Sequence, residues 1–257
     1  EVREMLRTDL VHLEHHLHGG PAPEGPPVRL WLQNADRWLG LETWPPEGSG
    51  TRQRYFSSDG ALLAEPSVDG SGPSTFVFDP ADPTPVEGGP LLAPPAMQAD
   101  NGVMESALDV VVFTGVPEPV DLDLVGEVRA TVFVRPELEY ADVFVRLCDV
   151  DQEGVSRNVV DGIRRLDPLT VPAPDVMVGA DGVLQVEVEL FPTAYRVLAG
   201  HRLRVVVSGG AVPRFAPNPG DGTPSGDWTT GRPCRFEVFH DGDHASHLTL
   251  QVREEGA

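Results

Sequence analysis

The sequence contains no lysine: its 19 basic residues are all arginine, and 40 aspartates and glutamates leave a formal net charge of -21 at pH 7. A surface of that charge repels phosphate backbones and anionic lipid headgroups, so nucleic acid and membranes are excluded as expected partners. The sequence also lacks long apolar runs and a basic segment followed by an apolar one, which argues against a membrane-spanning helix and a signal peptide. These absences predict a soluble protein and favour the cytoplasm.

Cysteine is also scarce, because only Cys148 and Cys234 occur in 257 residues. Two distant cysteines exclude a disulfide scaffold. Their spacing leaves one optional bridge open, although two buried free thiols are the favoured interpretation. The length and a hydrophobic content of 40% suffice for a buried core in one large or two small domains.

Residues 1–18 have apolar side chains at helical spacing, with charged residues on the other side. Gly19, Gly20 and Pro21 then supply a left-handed cap and a residue that cannot continue the helix. The segment therefore predicts an amphipathic helix. Its leucines, Leu6 and Leu13 among them, are candidates for contact with another domain.

After a Pro/Gly-rich linker at residues 21–27, the apolar pattern changes to alternation. About ten or eleven strands are separated by Gly, Pro and Asp turns, which predicts an all-β domain built as a jelly-roll-like sandwich. The clearest alternations fall at residues 128–134, 184–190, 203–207 and 248–252. Residues 79–105 form one long irregular stretch, and such stretches in compact domains are usually functional or mobile.

Motifs for nucleophilic catalysis are missing. A Gly-x-Ser-x-Gly elbow is absent, and the nearest approach, residues 154–158 (GVSRN), predicts a hairpin turn between two strands. His18-Gly19-Gly20 is like the oxyanion loops of esterases, but it follows a helix rather than a strand, so a helix cap is favoured. The sequence therefore offers no catalytic residue of its own.

Two histidine groups are candidates for metal ligands. One lies on the first helix and the other near the end of the chain: His12, His15 and His16, then His240, His244 and His247. Neither has a recognisable ligand spacing, and the second group is more simply a turn between strands. The acidic segment 79–83 predicts a Pro-shaped surface turn rather than a calcium site. We therefore predict no metal and no cofactor.

Three tryptophans lie close together in sequence. Trp31 alternates with Leu30 and Leu32 in a strand, which predicts that core packing accounts for it. Trp38 and Trp44 are assigned to a polar loop and are candidates for an interdomain or binding surface.

Several collinear segments resemble one family of acyl hydrolases, the group of X-Pro dipeptidyl-peptidase, cocaine esterase and α-amino-acid ester hydrolase. The resemblance covers nearly the whole chain from residue 27 and concerns the C-terminal part of those enzymes. The matching segments include residues 27–38 (PVRLWLQNADRW), 54–60 (RYFSSDG), 76–85 (FVFDPADPTP), 109–114 (DVVVFT), 161–163 (DGI), 191–194 (FPTA), 198–203 (LAGHRL), 213–215 (PRF) and 244–248 (HASHL).

The resemblance implies a non-catalytic, galactose-binding-like jelly roll at residues 28–257. It also implies that residues 1–20 are the last helix of an upstream catalytic α/β-hydrolase domain, which carries the Ser-Asp-His triad in the same polypeptide. The implied substrate is a small ester or an X-Pro peptide, and the chain alone is expected to be inactive. The loop 88–105, with Leu91 and Leu92, is implied as a wall of the substrate pocket, although an interdomain packing loop is an equal interpretation.

Two other functions stay open from the residues. One is a free-standing module that binds carbohydrate or peptide through Trp38, Trp44 and the long loop, since sandwiches of this type host both roles. The other is a purely architectural role in which the sandwich or the first helix mediates a homo-oligomer.

Overall fold

A computed structural model describes residues 2–67, 72–90, 98–224, 226–227 and 229–253. These ranges contain two helices and fourteen strands: α1 (Val2–His18), β1 (Val28–Leu32), β2 (Arg37–Leu41), β3 (Gly50–Phe56), β4 (Ala61–Leu63), β5 (Ser74–Phe78), α2 (Gly102–Glu105), β6 (Val110–Gly115), β7 (Leu122–Pro136), β8 (Ala141–Val150), β9 (Ser156–Leu166), β10 (Val176–Val178), β11 (Leu184–Val197), β12 (Arg202–Ser208), β13 (Cys234–Phe239) and β14 (His247–Arg253). Neither described helix is long and apolar enough to cross a membrane.

Helix α1 ends at the predicted glycines. Gly19 has a φ of +69°, and the N–H groups of Gly19 and Gly20 donate to the carbonyls of His15 and Glu14. The leucines of α1 form one apolar side, termed the helix stripe: Leu6, Leu10, Leu13 and Leu17. All four are between 49% and 70% exposed, so the described part of the sandwich does not cover the stripe.

Strands β1 and β2 form an antiparallel hairpin in which Trp31 pairs with Trp38. Trp38 is therefore in a strand, and the prediction of a polar loop is wrong. The prediction that Trp31 packs in the core is also wrong, because it is 42% exposed. Alternation leaves the hairpin one face to bury, and leucines occupy it. That buried face packs on the sandwich through Leu32, Leu39, Leu41, Val125 and Ala194.

The other strands form a sandwich of two layers. One layer has the order β10-β11-β7-β14-β3, and β13 joins β5 to the C-terminal end of β7. The second layer has the order β4-β6-β12-β8-β9, and the short β3–β4 pairing links the two. Side chains from both layers meet in the main core. The predicted all-β, jelly-roll-like sandwich is therefore confirmed.

Strand β7 is the centre of the first layer. It pairs with β11 along one edge and with β14 and then β13 along the other. Ser246 bridges the break between β13 and β14, because its hydroxyl donates to the Phe239 carbonyl and accepts from the Phe133 N–H. The predicted period of two is confirmed by the fully buried residues Val128, Ala130, Val132 and Val134.

Strand β8 is buried on both faces. One face contributes Val143, Val145 and Leu147 to the main core. The other face packs in a smaller apolar cluster with Val86, Met104 and Ala211, which come from the segments that run over this layer. Val86 and Met104 belong to the irregular stretch 79–105, so both ends of that stretch lie on the outer face of β8.

Candidate functional site

A cavity of about 190 Å³, termed the loop cavity, lies where the long loop meets the sandwich. It is lined by Gly89, Pro90 and Gln98 from the loop, by residues 158–161 of β9, by residues 191–193 of β11 and by Gln33. Leu91 and Leu92, the sequence candidates for substrate contact, lie outside the described residues. The described residues on either side of that gap, Pro90 and Gln98, both line the cavity.

The lining combines apolar surface with a few uncharged polar groups and the Asp161 carboxylate. Phe191 is half-exposed at the rim, and the amides of Gln33, Gln98 and Asn158 and the hydroxyl of Thr193 supply donors and acceptors. Small-molecule sites have this composition, although most are larger. The cavity suits part of a small ligand or the end of a larger one.

A buried ionic network adjoins this cavity. Arg146 is fully buried, and its Nε and Nη2 donate to one oxygen of Asp161 at 3.2 and 2.9 Å. Arg214 donates to the other oxygen of Asp161 and stacks on Phe191 and Phe215. Burial lowers the pKa of Arg146. Burial, and then the nearby charge of Arg146, lowers the pKa of Arg214 to about 10, so Arg214 stays charged at neutral pH.

The far end of the loop is held by side-chain amides. Asn158 accepts from the Ala99 N–H at 2.8 Å, and the Asn101 N–H donates to the Ser156 carbonyl at 2.9 Å. The Asn101 side chain adds bonds to the carbonyls of Ala99 and Ser156. Residues 98–101 therefore have a defined position beside β9.

The outer side of the β1–β2 hairpin, termed the hairpin face, consists of Arg29, Trp31 and Trp38. The two tryptophan rings meet edge to face with centroids 5.5 Å apart, and the Arg29 guanidinium lies 5.2 Å from the Trp38 ring centroid. Trp44 is partly exposed in the loop after β2, as predicted. The hairpin leads into the loop cavity, because Gln33 follows β1 and bonds to the backbone of β11.

The serine of the motif 154–158 is not presented as a nucleophile. The Gly154 N–H donates to the Asp151 carbonyl in a tight turn between β8 and β9, which confirms the predicted hairpin turn. Ser156 is buried and donates to Glu105, which in turn pairs with Arg204. The two cysteines are free and buried, as favoured from sequence, and burial raises the pKa of Cys148 to about 12.

One polar triplet was missed by sequence reasoning. The Asp149 carboxylate accepts from the Tyr195 hydroxyl at 2.8 Å and pairs with His201 Nδ1 at 2.9 Å. Burial, followed by the charge of Asp149, raises the pKa of Tyr195, which keeps its hydroxyl as a donor. Since Asp149 belongs to β8 and Tyr195 to β11, the triplet ties the two layers together.

The described residues contain no group of three or more metal-ligating side chains close enough to hold an ion. The rings of His12 and His16 lie 4.3 Å apart on α1 without a third ligand. His240 is buried beside the Ser74 hydroxyl, and His244 pairs with Asp241. The Asp79 carbonyl accepts from the Asp82 N–H, as in the predicted surface turn.

Residues 23–249 match the family model described as the X-Pro dipeptidyl-peptidase C-terminal non-catalytic domain. The chain belongs to this family. The resemblance stated from the motifs is therefore confirmed, and so is the assignment to a non-catalytic C-terminal domain.

Curated proteins similar to this family member include a cocaine esterase from Rhodococcus sp. (strain MB1 Bresler), 26% identical over 268 residues that cover 98% of this chain and 46% of the esterase. A putative serine esterase from Mycobacterium bovis is 26% identical over 288 residues that cover 98% of this chain and 42% of that protein. The chain thus spans less than half the length of these curated relatives.

Solved structures share the fold. An aminopeptidase from a marine sediment Thaumarchaeota archaeon superposes with a TM-score of 0.79 at 22% identity, over 97% of this chain and 44% of that one. An α-amino acid ester hydrolase gives a TM-score of 0.77 at 22% identity, over 94% and 43% of the two chains. At this identity the likeness establishes the fold alone.

Proposed function

We propose that this chain is the C-terminal domain of a serine acyl hydrolase, that it packs on an upstream catalytic α/β-hydrolase domain of the same polypeptide, and that it helps to wall the substrate pocket. Family membership and the much longer esterase relatives support this arrangement. In this proposal residues 1–20 complete the catalytic domain, residues 21–27 link the domains, and residues 28–257 form the jelly roll.

The observation that carries the proposal is the apolar surface left in solvent. The helix stripe gives α1 four exposed leucines, and the hairpin face adds Trp31 and Trp38. A helix gains most of its stability by packing its apolar side, and contiguous exposed apolar surface marks an interaction site. A catalytic domain that covers Leu6, Leu13 and Trp38 would bury this surface. Trp44 lies next to the same hairpin and is assigned to the same contact.

The proposed substrate wall is the loop 88–105 with Leu91 and Leu92. Its described ends line the loop cavity beside Phe191, which offers apolar surface to an acyl group or a leaving group. The implied substrate is a small ester or an X-Pro peptide. If Leu91 and Leu92 instead only pack between domains, substitutions there would change stability and leave substrate preference unaltered.

The chemistry would lie entirely in the upstream domain. There a serine hydroxyl attacks the acyl carbon, the alcohol or amine departs, and water hydrolyses the acyl-enzyme. This chain would supply no reacting atom. Its role would be to shape the pocket and to exclude water from it.

The experiment first reads the genomic sequence upstream of residue 1 and expresses that upstream part separately. We expect a reading frame that contains Gly-x-Ser-x-Gly, and we expect residues 1–257 to bind the separate part in isothermal titration calorimetry. Residues 1–257 alone should hydrolyse an activated aryl ester no faster than a heat-denatured control. Serine-dependent turnover by residues 1–257, or an upstream frame without a hydrolase motif, would refute the proposal.

A matched pair of substitutions locates the contact. Trp38→Ala should weaken binding to the upstream part about tenfold or more, as expected for a central interface aromatic. Leu169→Ala is the control, because Leu169 is an apolar side chain that is 88% exposed in the turn after β9 and belongs neither to the hairpin face nor to the helix stripe. Equal affinities for both variants would remove the hairpin face from the interface.

The alternative is a free-standing carbohydrate- or peptide-binding module, which the paired, exposed Trp31 and Trp38 favour. Sugar rings stack on such aromatic surfaces. Saturable binding of a glycan or peptide by residues 1–257, abolished in Trp38→Ala, would support the module. In the third possibility, a homo-oligomer, the helix stripe would be covered by a second copy, and sedimentation of residues 1–257 would show a dimer.

A further inference from the structure

One nitrogen atom of Arg146 binds chain segments on both sides of the long loop. Arg146 Nη1 donates to the carbonyl of Glu87 at 2.6 Å and to Oδ1 of Asn101 at 2.7 Å. Glu87 directly precedes Gly88, where the loop starts, and Asn101 lies in the second described part of the loop, just before α2. An Nη1 nitrogen has two hydrogens, so each end of the loop takes one of them.

The other guanidinium nitrogens of Arg146 bind Asp161 of β9. Nε and Nη2 both donate to Asp161, and Arg214 donates to the second oxygen of the same carboxylate. Asp161 also lines the loop cavity. The position of Arg146 is therefore fixed by β9, and the loop ends are fixed by Arg146.

Arg214 extends this arrangement to the first end of the loop. Gly89 has a φ of +113°, and a Cβ placed there would lie 3.0 Å from Arg214 Nη1. The guanidinium therefore packs directly against the backbone of Gly89, which favours glycine at this position.

A comparison within the same pair of strands shows what is particular to Arg146. β8 and β9 carry two cross-strand pairs of arginine and aspartate, Arg146 with Asp161 and Arg165 with Asp142, and both arginines donate through Nε and Nη2. Arg165 is 48% exposed and bonds also to the Ala216 carbonyl, whereas Arg146 is completely buried. Burying an arginine is costly, and the pairing of β8 with β9 does not require it, as Arg165 demonstrates.

We propose that Arg146 is the positioning residue for the described parts of the loop: it clamps Glu87 and Asn101 and thereby fixes residues 88–90 and 98–101 beside the loop cavity. Its link to substrate binding rests on the proposed function, because only a loop that walls the pocket would pass its position on to a substrate. Arg146 itself touches no reacting atom in this proposal.

Lysine is the informative replacement at this position. It keeps the positive charge beside Asp161, but its ammonium is a compact point charge that cannot serve Asp161, Glu87 and Asn101 from one planar fork. Arg146→Lys therefore removes the clamp but still leaves a positive charge beside the buried Asp161 carboxylate. Arg165→Lys is the matched control, since it breaks the Nε and Nη2 bonds of the other cross-strand arginine–aspartate pair in the same strands without touching the loop.

Hydrogen exchange of residues 1–257 reads the clamp directly. In Arg146→Lys the amides of Ala99 and Asn101, both hydrogen-bonded in the native chain, should exchange about tenfold faster or more, whereas the amides of β7 and β11 should change less. Arg165→Lys should leave Ala99 and Asn101 unchanged relative to β7. Unchanged exchange at these two amides in Arg146→Lys, or an equal acceleration in the loop and in β7, would overturn the clamp.

Steady-state kinetics of the whole polypeptide separate this proposal from the proposed function. A rise in KM of several-fold in Arg146→Lys, with kcat within about twofold and no such change in Arg165→Lys, would show that the clamp positions a pocket wall. Faster hydrogen exchange in the loop together with an unchanged KM would support the clamp and would refute the proposal that the loop walls the substrate pocket. If Arg146→Lys does not fold, Asn101→Ala repeats both measurements, and Asn101→Asp is its control: both variants lose the side-chain donor to the Ala99 and Ser156 carbonyls, but only Asn101→Ala loses the acceptor for Arg146.

Discussion

The helix α1 and the strand β7 have equally regular apolar patterns, but their apolar sides have opposite fates. The alternating valines and alanine of β7 are buried between the layers, whereas the four leucines of the helix stripe are 49–70% exposed. A regular apolar period shows that an element has an apolar side. It does not show which part of the chain, or which other molecule, covers that side. The sandwich thus covers its own core, whereas the described residues leave the helix stripe exposed, and in the proposed function the upstream domain would cover it.

The largest expected effect tests whether the core of the sandwich is tightly packed. Phe236 is buried and its ring stacks on Phe76 with centroids 4.8 Å apart. Phe236→Ala should lower the free energy of unfolding by about 3–5 kcal/mol, because it removes buried apolar surface and leaves a cavity between the layers. Urea denaturation of residues 1–257 measures it. A loss below about 1 kcal/mol would mean that the sandwich core is looser than its burial indicates.

An intermediate effect depends on pH. His240 is buried, and burial lowers its pKa below the ordinary value of 6.5, although Asp241 and Asp59 oppose the shift. The unfolded chain therefore binds a proton at higher pH than the native chain, so stability is full above pH 6.5 and declines as the pH falls below it.

The comparison variant for this titration is His240→Gln, which should show a shallower decline below pH 6.5 in chemical denaturation. The carboxylates with lowered pKa, such as Asp181, titrate in a lower range and do not interfere. Identical slopes for the two proteins would assign the decline to other groups.

The smallest expected effect tests the helix half. Leu10 is 67% exposed, so Leu10→Ala should change the unfolding free energy of residues 1–257 by no more than about 0.5 kcal/mol. The same substitution should weaken binding to the upstream part, where the proposal buries this leucine. A loss above about 1 kcal/mol in the isolated chain at low concentration would show that α1 is already covered.

Sequence patterns predicted the fold well where strands are long and alternate, as in β7 and β11. They missed β4 and β10, which have three residues each and are too short to display a period, and they assigned the segment of β2 to a polar loop. They also placed Trp31 on the wrong face of its strand, because alternation divides residues between two faces without identifying the buried one. The burial of Leu32 on Ala194 decides that question, and a contact so distant in sequence is invisible to a local pattern.

The clamp residue was missed for a related reason. A charged residue in an alternating strand normally marks the solvent side, but β8 is covered on both sides and Arg146 is completely buried. Its partners Glu87 and Asn101 are set by the path of the loop across the sandwich. Segments containing Asp161 and Arg214 did enter the family resemblance, which identified the neighbourhood and left its ionic contacts unspecified.

The break between β13 and β14 bears on how the protein is made. Phe133 and Ser246 are 113 residues apart in sequence, yet their hydrogen bond lies in the middle of a layer. On a ribosome, β7 emerges long before the strands that flank it, so its edge has to wait unpaired while they are synthesised. Release of residues 234–253 should therefore be the event that closes the layer during biosynthesis, and nascent chains halted before it should need protection from aggregation.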